Sequence, residues 1–144
     1  MTGVDAELAA LRATLDGLRK GVLDKLAGLS EDDARRSTVP SGTNLAGLLQ
    51  HLTFVEAKWF EQEVAGRKPS RGKRTMQVDA ATTLGELRAA YREAWATSDE
   101  IIEQVGDPDA KGLRRALHAV IGETARHAGH ADIIREQVDG KTGR

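Results

Sequence analysis

Apolar residues recur along this chain at spacings of three and four, in four long series separated by polar or glycine-bearing breaks. Leu8, Leu11, Leu15, Leu18, Val22 and Leu26 form the first series. That period lines one face of an α-helix, and it predicts a helix from about Asp5 to Ala27. Thr2 and Asp5 resemble a helix-start box, and Gly28 suits the stop. Leu45, Leu48, Leu49, Leu52, Val55, Trp59 and Phe60 make the second series, on a helix from Thr43 or Asn44 to about Ala65. The third runs through Leu84, Leu87, Tyr91, Ala94, Trp95, Ile101, Ile102 and Val105. Thr83 and Glu86 there match a capping box. Leu113, Leu117, Val120, Thr124, Ala131, Ile134 and Val138 give the fourth, over about Leu113 to Val138.

The breaks are also legible. Ser30 heads a short capped turn of helix, and Pro40 and Gly42 punctuate the loop after it. Residues 66–75 read as a polar crossover loop, 76–81 as extended or irregular chain, and Asp139 to Arg144 as a polar tail. Four long helices predict an all-α four-helix bundle with a long crossover between the second and third. Up-down-down-up is one order such a crossover allows. At 144 residues the whole chain, 1–144, fits a single domain.

Composition narrows the function classes. The chain has no cysteine, so disulfides, Cys-based zinc sites and a thiol nucleophile of its own are excluded, and a cytoplasmic setting fits. It carries 21 Lys and Arg against 22 Asp and Glu, interspersed, for a net charge of −1. A nucleic-acid binder would show a basic face instead. No apolar run approaches the ~20 residues of a membrane span. The first residues, Met1 to Glu7, lack the basic and apolar regions of a signal peptide. Arg67, Lys68, Arg71, Lys73 and Arg74 make a basic run that can hold an anion, although a solvated loop is the plainer reading.

Candidate chemistry concentrates in Gly122 to Glu136. Glu123, His127 and His130 are spaced by four and three, which places them on one helical stripe with Val120 and Ile134. That side is expected to face the core, where carboxylates and imidazoles are costly without a partner; a metal is one such partner. His51, between Leu48 and Val55, occupies an inward position on the second helix. Two histidines and one carboxylate leave a coordination position free for water or substrate, and zinc and iron(II) both use such a set. Plainer roles compete. His118 reads as a hydrogen-bonded core residue. Glu123 can pair with Arg126 or Arg92 on the surface. His130 can be a ligand, a donor behind the ligands, or a proton shuttle. Trp59, Trp95 and Tyr91 read as core.

Two segments, Leu48 to Phe60 and Glu123 to Gly140, resemble the DinB/YfiT-like superfamily, especially its mini-circle-protein branch. The resemblance implies a four-helix bundle with a divalent metal in a pocket at one end, held by His51, Glu123 and His127. Glu123 stands where the commonest DinB pattern has histidine. The Glu-x-x-x-His pair is similar to that of the mycothiol-dependent maleylpyruvate isomerases, whose metal is zinc. The resemblance puts His130 beside the metal. Characterised relatives are transferases and isomerases that use mycothiol, bacillithiol or glutathione, and homodimers are common among them.

The expectation is therefore a metal-dependent enzyme that transfers a low-molecular-weight thiol of the mycothiol or bacillithiol type to a small electrophile. Zinc is the first choice of metal, with nickel, manganese or iron as alternatives. His130 would orient a ligand or relay a proton. The small-molecule substrate would need neither nucleic acid nor membrane, and a homodimer is one possible state. The alternatives are a metal-dependent hydrolase with Glu56 or His130 as base, and a non-catalytic metal-binding stress protein.

Overall fold

A computed structural model gives the fold and describes residues 2–141. Met1 and the last part of the polar tail, 142–144, lie outside the described residues. The chain folds into α1 (Gly3–Lys25), a short α2 (Glu31–Arg35), α3 (Leu45–Glu56), α4 (Leu84–Val105) and α5 (Leu113–Asp139). A wider π-helical segment, Ala57–Val64, continues α3 without a break. No strand occurs among the described residues, and none of their helices is long and apolar enough to cross a membrane.

The first four helices start where a side chain takes up an orphan backbone donor, whereas α5 starts at Gly112 with no side-chain cap. Thr2 and Asp5 close a reciprocal capping box on α1. Ser30 caps α2 through the Asp33 amide, and Asn44 caps α3 through the Gly47 amide at 2.8 Å. Thr83 caps α4, but its expected box does not close: the Glu86 carboxylate accepts from the Thr83 hydroxyl, not from its amide. Glu31 reaches over from α2 instead and accepts from the Leu84 amide at 2.9 Å.

Polar contacts between helices fix the order. Arg114 meets Glu7 near the starts of α5 and α1, and Arg135 meets the Lys25 carbonyl near their ends, so these two run parallel. Arg12 pairs with Glu103, Arg19 with Asp99, and Arg88 with the Leu26 carbonyl, so α4 runs against α1. His51 faces His127 while Arg115 lies over Trp59, so α3 runs against α5. The order is up-down-down-up. Because α3 and α4 are parallel, the chain must return the length of the bundle between them, and residues 65–83 do so.

The apolar stripes bury as their spacing predicts, yet the core is not continuous. One cluster packs Leu26, Leu45, Leu49, Leu52, Tyr91 and Ile134; the other packs Leu15, Phe60, Ile102, Leu113, Leu117 and Val120. A polar layer of Arg19, Glu56, Ser98 and Thr124, each 1 % exposed, lies between them along every long helix. Arg19 Nε and Nη2 donate to the two oxygens of Glu56 at 2.8 and 2.7 Å, and Nη1 reaches Asp99 at 2.8 Å and Asp16 at 3.0 Å. Burial by itself would lower the Arg19 pKa; the Glu56 and Asp99 carboxylates outweigh it and raise it. The expectation that Glu56 acts as a catalytic base meets this geometry: both its oxygens are occupied in the core.

A candidate metal centre at the mouth of a cleft

Thr124, Ala128 and Ala131 bury the inner line of α5. Glu123, His127 and His130 lie beside that line, on the flank of the helix. They were expected to face the core, but a shift of one residue turns a helical side chain by about 100°. The result is a rim: the Glu123 and His127 side chains are 28 % and 12 % exposed, and His130 is exposed. His51 comes to the same rim from α3, at 18 % exposure.

There the imidazoles converge on one oxygen. Glu123 Oε2 lies 3.2 Å from His127 Nε2 and 3.8 Å from His51 Nε2, and one donor atom from each of the three residues falls within 4.8 Å of the others. A tetrahedral zinc with ligands at ~2.1 Å holds its donors roughly 3.4 Å apart, so the observed spacing fits a small divalent ion. The donor chemistry fits as well: two imidazole nitrogens and one carboxylate oxygen suit zinc and iron(II) alike.

The surroundings orient each donor. His51 Nδ1 lies 3.1 Å from the Arg74 carbonyl. A carbonyl only accepts, so Nδ1 carries the proton and Nε2 presents its lone pair. His127 Nδ1 lies 3.3 Å from His130 Nδ1; donation by His127 leaves its own Nε2 free for a ligand bond. Arg126 donates to Glu123 Oε1 at 2.6 Å, which leaves Oε2 for the histidines. Of the surface partners expected for Glu123, Arg126 is present on Oε1, and the two histidines lie nearest Oε2.

Burial pushes the pKa of His127 down, and the facing His51 adds to this against the opposite pull of Glu123. As pH falls below about 6.5, the unfolded chain protonates this residue before the folded chain does. The folded state binds fewer protons in that window, so its stability falls with pH until the depressed pKa is passed. Chelator-treated protein is expected to melt at a lower temperature at pH 5.5 than at pH 7.5, and His127→Gln should flatten that difference in a thermal melt.

The Arg74 carbonyl is held in place by contacts along the crossover. Gln50 Nε2 donates to the carbonyls of Thr75 and Gln77, both at 3.0 Å, and Asn44 to that of Met76 at 3.1 Å. Two glycines let the backbones meet. A Cβ on Gly47 would lie 2.3 Å from the Met76 oxygen, and one on Gly72 would lie 2.3 Å from the Phe54 nitrogen. Gly72 also has φ +76, which a side chain resists. Gly72→Ala should destabilise the fold by about 1–3 kcal/mol. It should also weaken zinc binding by roughly 10–100-fold as the carbonyl leaves His51. A melt together with a zinc titration checks both.

A cleft of about 430 Å³ opens beside this centre, lined by His51, Glu123, Phe54, Trp59, Lys58, Arg74 and Arg126, among others. One expectation changes here: His118 is exposed on the cleft wall, not hydrogen-bonded in the core. Trp59 packs against the core as expected, but is only half-buried and lines the cleft as well. Tyr91 is core as expected. Glu56 does not line the cleft. The π-helical segment starts immediately after Glu56 and carries Lys58 and Trp59; no residue pattern announced it.

A family model described as mycothiol-S-transferase matches residues 10–140. The chain belongs to this family, which lies within the DinB/YfiT-like superfamily. No curated protein and no solved structure matches it.

Proposed function

We propose, with membership of the mycothiol-S-transferase family as the premise, that this chain is a divalent-metal-dependent enzyme. It joins the sulfur of mycothiol or a similar small thiol to a small electrophile. The observation that carries the reading is the convergence of His51, Glu123 and His127 at the mouth of a small-molecule cleft. A divalent ion there, zinc in the first instance, supplies a Lewis acid that lowers the pKa of an adjacent thiol, so that thiolate forms near neutral pH.

The chain's own residues do the rest. His51 and His127 are held in the ligating orientation by Arg74 and His130. Phe54 and Trp59 offer apolar wall to the acceptor. The sulfur forms its bond to the electrophilic carbon as the leaving group departs with the bonding pair. The thiol proton passes to solvent, with His130, exposed beside His127, as the relay. No cysteine competes as nucleophile, so the sulfur is the cofactor's. The alternative hydrolase reading loses Glu56 as its base, because Arg19 occupies both oxygens.

Metal-replete protein should convert a fluorogenic electrophile with mycothiol, bacillithiol or glutathione, fastest with mycothiol. A chelator should stop the reaction and added zinc restore it. Stoichiometric zinc binding with no turnover for any thiol would instead leave a non-catalytic metal binder.

A further inference from the structure

The cleft beside the metal centre is lopsided in charge. Lys58, Arg74 and Arg126 line it, and Glu123 is its one carboxylate. Arg126 takes one oxygen of Glu123, and the two histidines face the other. Among the described residues, neither Lys58, Arg74 nor the neighbouring Arg115 has an acidic group within ion-pair distance. In the same basic loop Arg71 pairs with Glu93, and Lys73 with Asp79 at 3.1 Å; Arg67 and Lys68, which do not line this cleft, have no acidic partner among the described residues. Arg74 is the loop cation that lines the cleft, and it lacks a counter-charge among the described residues.

These cations are also held against aromatic faces. Lys58 Nζ lies 5.2 Å and Arg115 Cζ 5.6 Å from the Trp59 ring centre, and Arg74 Cζ lies 5.5 Å from that of Phe54. Stacking of this kind limits the freedom of long side chains and keeps their charge along an apolar wall. Fixed positive groups beside a flat apolar surface match an anion attached to a planar body. The volume suits a small organic molecule.

We propose that the cleft selects an acceptor bearing a carboxylate, with Lys58 and Arg74 holding its charge and Phe54 and Trp59 its planar body. This rests on reading the cleft as the acceptor side of the transfer site. Arg74 then has two separate roles: its main-chain oxygen orients His51, and its side chain receives the substrate anion.

Benzoate and its neutral isostere benzamide test the proposal as probes in ligand-observed NMR titrations of the full chain, both chelated and zinc-loaded. Benzoate should bind about tenfold more tightly than benzamide at low ionic strength, the scale of two screened charge contacts. Added salt should narrow the gap. The double variant Lys58→Gln with Arg74→Gln should abolish the preference. Its zinc affinity and circular dichroism should be unchanged, because only the main-chain oxygen of Arg74 serves the metal centre. The proposal is overturned if benzamide binds as well as benzoate, if the double variant keeps the preference, if the preference exists only with zinc present, or if inorganic phosphate displaces benzoate at equal concentration. The titration needs no thiol and no turnover. An active transferase without the preference loses only the carboxylate assignment, whereas the preference in an inactive protein leaves the subsite standing and removes the transferase reading.

Discussion

Glu123→Gln or His51→Ala lowers kcat/KM for thiol transfer by at least about a thousandfold, an expected loss of roughly 4 kcal/mol of transition-state stabilisation. The reason lies in the convergence on one carboxylate oxygen. Glu123 Oε2 is within 3.2 and 3.8 Å of the two imidazoles, so removing its charge leaves two neutral nitrogens and no anionic ligand. Glutamine keeps the shape, and both residues sit on the rim, so the fold should survive. Circular dichroism of each variant should overlay the parent. Activity within threefold of the parent in Glu123→Gln would remove that residue from the site.

Arg19→Met should be the most damaging change to stability, and it lies away from the cleft. It would strand Glu56, 1 % exposed, as a buried carboxylate without a partner. Breaking one side of a buried pair costs about 3–5 kcal/mol, which for a chain of this size lowers the melting temperature by roughly 10–20 °C. Removing both partners is different, because a well-packed apolar pair avoids the desolvation cost. Arg19→Met with Glu56→Met should recover most of the loss. A melt series of parent, single and double variants reads the result directly. A single variant as stable as the parent would show that the polar layer is not an obligate pair.

Both results bear on what could be read from residues alone. The helices, their caps and the crossover were legible because period and capping are local properties. Thr2, Ser30, Asn44 and Thr83 each cap the helix that follows, and most of the apolar series fall on buried positions. Glu123 and His127 were legible as a pair because four is a helical spacing, and His51 as their partner because it took an inward position on the second helix; the resemblance then joined the three into one ligand set. The polar layer was not. Arg19 directly follows Leu18 of the first series, yet Arg19 is buried and Leu18 only half-buried. One charged residue shifts a stripe too little for spacing to reveal, and its partners Glu56 and Asp99 lie on other helices. The same one-residue offset carried the α5 triad from core to rim. His118 was misplaced, and the cleft-facing side of Trp59 missed, for a further reason: the cleft is made by two helices together, and the π-helical segment alters the register of one of them.

The most direct test is zinc binding by equilibrium dialysis of chelator-treated protein, with the parent compared against His127→Ala. One zinc per chain for the parent, and binding at least about a hundredfold weaker in the variant, is the result expected of His51, Glu123 and His127 as one site, since changes even behind the ligands cost 10–100-fold. Equal, weak and substoichiometric binding by both proteins would contradict a metal centre at this rim.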